Sequence, residues 1–193
     1  MENETEKKGL VLEYKNVIIK QGIILLPAFI ISIIGIVTSL GAGVRLTIYA
    51  VQALLCIVMA GCCILYQKRP VLFKYAIYFY AFLQTLRAAL LQTQGVELFP
   101  SACAKALMII SAMLCILLSE RLNKKKDSIC ISAVIAACEV LLYVVFLVGF
   151  PAVRTSRLYI VFPLSGILVA VSLLITIIGI WKVNSNRSEE SEN

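Results

Sequence analysis

The chain has no histidine. That absence removes the commonest biological metal ligand and the side chain best suited to proton transfer near neutral pH, and with it every Ser-His or Cys-His nucleophilic arrangement. Charge is also scarce: Asp, Glu, Lys and Arg make up 15% of the residues, against about 25% in a typical soluble domain. There is no Gly-x-x-x-x-Gly-Lys-Ser/Thr phosphate loop and no Gly-x-Ser-x-Gly elbow, so neither an ATPase nor a serine hydrolase is expected. The apolar runs hold no paired carboxylates. No catalytic, metal or cofactor site is expected, and the chain reads as a non-enzyme.

What the sequence has in abundance is apolar residues. At 61% hydrophobic with a mean hydropathy of +0.94, it reads as an all-α integral membrane protein. Six apolar runs, at 22–40, 46–66, 71–93, 100–119, 129–150 and 158–181, each approach the ~20 residues that cross a bilayer as helix. A polypeptide surrounded by lipid must satisfy its own backbone hydrogen bonds, and the runs lack the alternation of barrel strands. Short connections make consecutive helices antiparallel, giving a six-helix transmembrane domain over 22–181.

Net charge is +7, but the cations sit at the ends of the apolar runs, where they orient helices and do not suggest nucleic acid. Lys7, Lys8, Lys15, Lys20, Lys68, Arg69, Lys74, Arg121, Lys124, Lys125, Lys126, Lys182 and Arg187 fall on one side, against Arg45, Arg87, Lys105, Arg154 and Arg157 on the other. The positive-inside rule then predicts that both termini are cytoplasmic, and the expected location is the plasma membrane. A cleaved signal peptide ending near Gly41-Ala-Gly43 is the rival, but the first run exceeds the usual ~7–15 residue signal core. Residues 1–21 form a cytoplasmic amphipathic segment, with Leu10, Tyr14, Val17 and Ile18 on one face, that predicts a short interfacial helix. Residues 182–193 are polar and acidic and predict a disordered tail. Arg121, Lys124, Lys125 and Lys126 form a basic loop suited to anionic lipid headgroups.

Seven cysteines show no Cys-x-x-Cys spacing; they read as small packing residues, with lipidation or redox sensing at Cys130 the alternative. Gly166-Ile-Leu-Val-Ala170 and Ala133-Val-Ile-Ala-Ala137 have the spacing of close helix contacts.

One residue breaks the apolar pattern sharply. Glu139 lies about ten residues into the fifth run, where a charge facing lipid costs ~2.5–3.5 kcal/mol or more. It is expected to face protein or water, on a seam with Ser132, Ala136, Tyr143 and Phe146. Arg87 and Lys105 lie at matching depth as candidate partners. Arg87 shares a helical stripe with Tyr80, Gln84, Leu91 and Gln94, and Gln52 adds a further polar group. Two cations against one carboxylate would leave a surplus for an acidic solute. The bland alternative is that the cations snorkel and Glu139 is a structural acid.

In size and helix count the chain is similar to the membrane-embedded binding components of energy-coupling-factor vitamin importers, a resemblance of architecture. It implies a substrate-binding membrane subunit working with protein partners. The leading expectation is a protein that binds or transports a small, acidic solute, alone or as such a subunit; the alternative is a non-transporting accessory, sensor or scaffold protein.

Overall fold

The computed structural model describes residues 2–40, 43–66, 69–91, 97–150 and 157–190, with side chains described from Tyr14 to Ser185 except at 41–42, 44, 67–68, 92–96 and 151–162. The described residues form six helices and no strand: α1 (Glu2–Thr38), α2 (Gly43–Leu65), α3 (Val71–Leu90), α4 (Leu98–Arg121), α5 (Lys125–Gly149) and α6 (Arg157–Glu190). Five of them are long and apolar enough to cross a membrane, and the chain is a helical membrane bundle. The third apolar run, α3, falls short because Lys74, Gln84 and Arg87 interrupt its 20 residues. Two of those three, Gln84 and Arg87, are turned inside the bundle.

Helix boundaries follow local chemistry. Pro70 precedes α3 and Pro100 sits in the first turn of α4, where the missing N–H would have had no helical acceptor. Between α4 and α5 the chain turns within three residues, closed by Lys124 N–H donating to the Arg121 carbonyl at 2.9 Å. Asp127 in the first turn of α5 meets Arg121 from the last turn of α4 at 3.8 Å, each charge suiting the helix end that carries it.

Two expected boundaries differ. Residues 2–21 are not a separate interfacial helix: nothing breaks α1 from Glu2 into the first span, and Tyr14 and Val17 are buried against neighbouring helices. The Tyr14 hydroxyl donates to the Cys63 carbonyl of α2. At the other terminus the helix carries on through the polar stretch to Glu190, where disorder was expected from 182.

Each helix packs against its neighbours in sequence, and α6 returns to pack on α1. The six helices therefore close a ring. Alternating direction gathers the α2–α3 and α4–α5 connections, the start of α1 and the end of α6 at one end, here called the basic end. Ile23, Leu26, Val37, Met113, Val148 and other large apolar side chains stay exposed on the outside, as a lipid-facing surface requires. Several buried hydroxyls are satisfied within their own helices, Ser32 donating to the Ala28 carbonyl at 2.8 Å and Thr176 to the Ser172 carbonyl at 2.7 Å. Such bonds let helices approach without stranding a polar group.

The core is not continuous. A large cluster holds Leu55, Met59, Phe73, Ile77, Tyr80, Cys115, Leu118, Ile135, Leu173 and Ile177 toward the basic end. A small one holds Ala88, Ala104, Met108, Leu142 and Phe146 toward the other end. Along α3, α5 and α4 the residues between the two are Gln84 and Arg87, Cys138 and Glu139, and Ser111.

Candidate functional site: a polar layer inside the ring

Glu139 is 1% exposed and belongs to the inward stripe of α5, which runs Ser128, Ser132, Ile135, Cys138, Glu139, Leu142, Phe146. Its Oε2 lies 3.3 Å from Arg87 Nη1, across the interior from α3. Gln84, one turn earlier on α3, donates from Nε2 to Glu139 Oε1 and accepts from Arg87 Nη1 at 3.1 Å. The three side chains thus form a closed triangle of charge-assisted hydrogen bonds, the strong kind. Arg87 occupies the last turn of α3, where the helix dipole also favours a cation.

Gly166 of α6 is what lets this triangle fit. A Cβ there would collide with Glu139 Oε2 and stand 3.2 Å from Arg87 Nη1. The next residue back, Ser165, accepts a 2.5 Å hydrogen bond from Gln52 Nε2 of α2, so α2, α3, α5 and α6 all contribute to one layer. From the remaining wall, α4 supplies Ser111. The Ser111 hydroxyl and the Tyr80 hydroxyl, which lies against Gln84, are buried without a hydrogen bond of normal geometry.

Arg87 uses its nitrogens unevenly. All three of its hydrogen bonds to described residues run through Nη1, although a guanidinium carries five N–H donors over three nitrogens. α3 ends three residues beyond Arg87, whereas α5 runs ten residues beyond Glu139, roughly 15 Å. The layer therefore lies close to where α3 stops.

Of the expected site residues, the structure brings Glu139, Arg87 and Gln84 together and places Gln52 at the edge of the same layer, bonded to Ser165. Lys105 is not among them. The inward stripe of α4 is Ser101, Ala104, Met108, Ser111 and Cys115, which leaves Lys105 half-exposed with no ion pair among the described residues. Tyr143 is half-exposed, flanking the buried Leu142. Gln94 and Arg154 lie outside the described residues, as does the side chain of Arg157. Arg121, Lys124, Lys125 and Lys126 are exposed at the basic end.

Sequence reasoning missed Ser165, Ser111 and the part Gly166 plays. The small-residue spacing from Gly166 to Ala170 was the available signal for the last. All seven cysteines are free, four of them buried and Cys130 exposed. Among the described residues no group of His, Cys, Asp and Glu could hold a metal ion. Comparison of the chain with protein-family models, curated proteins and solved structures gives no match.

Proposed function

We propose that this multi-pass membrane protein binds or transports a small solute bearing an acidic group, at the layer around Arg87 and Glu139, alone or as the membrane subunit of a transporter. The observation that carries the reading is a buried guanidinium whose hydrogen bonds to described residues all use one nitrogen, beside the buried Tyr80 and Ser111 hydroxyls, which make no hydrogen bond of normal geometry among the described residues. An acidic group can take the Nη2 and Nε donors of Arg87 while Glu139 keeps Nη1, and Tyr80 and Ser111 can complete its hydrogen bonds. Such a role is one of binding, with no bond made or broken. The likeness to importer binding components rests on size and helix count.

The orientation that goes with this reading puts the basic end in the cytoplasm of a cell with a plasma membrane of ordinary polarity, and the loop Arg121–Lys126 on its anionic headgroups. A reporter fused after Asn193 reads that orientation directly.

A second reading has one observation in its favour. With Lys105 outside the layer, Arg87 and Glu139 balance each other and Gln84 completes the triangle, so the layer can serve as a fixed specificity element in an accessory, sensor or scaffold protein. Purified protein screened for thermal stabilisation by small carboxylates and amino acids separates the two. The binding reading expects at least one compound to raise the melting temperature of the wild type and to lose that effect in Arg87→Gln/Glu139→Gln, which removes the guanidinium that holds the acidic group without leaving a lone buried charge. A screen with no stabilising compound, or a compound that acts equally on the wild type and on Arg87→Gln/Glu139→Gln, would leave the scaffold reading standing.

A further inference from the structure

A different polar feature lies on the outside of the ring, sixteen residues along α6 from Gly166, or roughly 24 Å toward the basic end. There α1 and α6 come so close that a Cβ on Gly179 would stand 2.6 Å from Val17 Cγ2 and 2.7 Å from Val17 Cγ1. Beside this contact runs a groove of about 260 Å³. Its floor is Val17, Ile175 and Ile178, and its rim carries Asn16, Lys20 and Lys182.

The opposed helix directions set the two lysines to lean toward one level. Side chains on a helix lean toward its N-terminus, and α1 and α6 run in opposite directions. Lys20 lies one turn to the membrane side of Val17 and leans outward, toward the basic end; Lys182 lies one turn to the outer side of Gly179 and leans back. Both ammonium groups are thereby aimed at the level of the Val17–Gly179 contact. Both lysines are exposed, neither forms an ion pair among the described residues, and no described acid lines the groove. Two like charges held over one apolar trough repel each other until an anion comes between them. Ile19 and Ile23, exposed and each three residues on from the groove-lining Asn16 and Lys20, extend that face of α1 as an apolar track toward the middle of the membrane.

We infer that this groove binds an anionic phospholipid of the surrounding bilayer, its phosphate between Lys20 and Lys182, its headgroup within reach of Asn16, and one acyl chain along Val17, Ile178 and Ile23. The pairing of a double cation with an adjoining apolar track selects a lipid over a free anion. A zwitterionic lipid brings its own cation and loses most of the attraction. The site is separate from the Arg121–Lys126 loop, which lies on α4 and α5.

The test is titration of the full-length detergent-purified protein with phosphatidylglycerol, phosphatidylcholine and inorganic phosphate, read by native mass spectrometry. Phosphatidylglycerol is expected to bind more tightly than phosphatidylcholine. The variant K20Q/K182Q is expected to lose about thirtyfold in affinity for phosphatidylglycerol, the size of two lysine contacts with an anionic headgroup. K20R/K182R is expected to keep it, and so is R121Q/K124Q/K125Q/K126Q. Should K20Q/K182Q fail to elute as folded protein, K20Q and K182Q singly carry the measurement, each with a partial loss. Equal binding of the two lipids, wild-type affinity in K20Q/K182Q, or loss of affinity in the loop variant would overturn the assignment. Displacement of the lipid by inorganic phosphate at equal concentration would overturn it too, in favour of a free-anion site.

Discussion

Two arginine–carboxylate pairs among the described residues differ mainly in where they sit. Arg87 and Glu139 are 3.3 Å apart with side chains 10% and 1% exposed, while Arg121 and Asp127 are 3.8 Å apart with side chains 47% and 45% exposed. The outer pair joins neighbouring helices across a three-residue turn that would hold without it. The inner pair joins helices that are not neighbours in the ring and stands between two apolar clusters. The same chemistry is therefore decoration in one place and a structural commitment in the other, because water can replace a partner at the surface and nothing apolar can replace one inside.

The comparison breaks most visibly at Arg87. Arg87→Ala leaves Glu139 buried without its cation and is expected to destabilise the bundle by about 3–5 kcal/mol. Thermal unfolding in detergent measures this, and the double variant Arg87→Ala/Glu139→Ala should recover part of the loss. If Arg87→Ala melts with the wild type, the inner pair is no more structural than the outer one.

Gly166→Ala sharpens the contrast without touching a charge. Its methyl group must displace the Glu139 carboxylate or the Arg87 guanidinium, and overpacking of this kind costs about 1–3 kcal/mol. The same unfolding measurement applies. A neutral result would mean that the triangle can shift as a body without loss.

The smallest effect belongs to the outer pair. Asp127→Asn is expected to change stability by less than about 1 kcal/mol, with the difference fading at high salt. Melting curves at low and high ionic strength check both statements, and a large salt-independent loss would contradict them.

How much of this could be read from residues alone depended on what kind of signal carried it. The helices were legible because a run of ~20 apolar residues has few other solutions in lipid. Glu139 was legible for the opposite reason, as the one acid in such a run, and matching depth picked out Arg87. Depth also picked out Lys105, wrongly for contact, since depth fixes height along a helix and says nothing of its rotation. The rotation of α4 is set by packing Ala104, Met108 and Cys115 inward, which turns Lys105 to the rim. A similar offset of one residue puts Ile135 and Leu142, and not Ala136 and Tyr143, on the buried stripe with Glu139. Closure of α6 onto α1 left no mark on either helix beyond small residues such as Gly179, because lipid and protein interior favour the same apolar side chains.

That closure also has a temporal side. Arg87 and Glu139 are separated by 52 residues of chain, and synthesis at ~5–20 residues per second makes the arginine roughly 3 to 10 s older than its carboxylate. During that interval α3, the one described helix that falls short of the apolarity needed to cross a membrane, has already left the ribosome with its guanidinium matched only by Gln84. The ring itself is sealed later still, when α6 reaches α1. Biogenesis of this bundle thus passes through a stage in which the helix that carries Arg87 must be sheltered by something other than its final partner, whether water, headgroups or the insertion machinery.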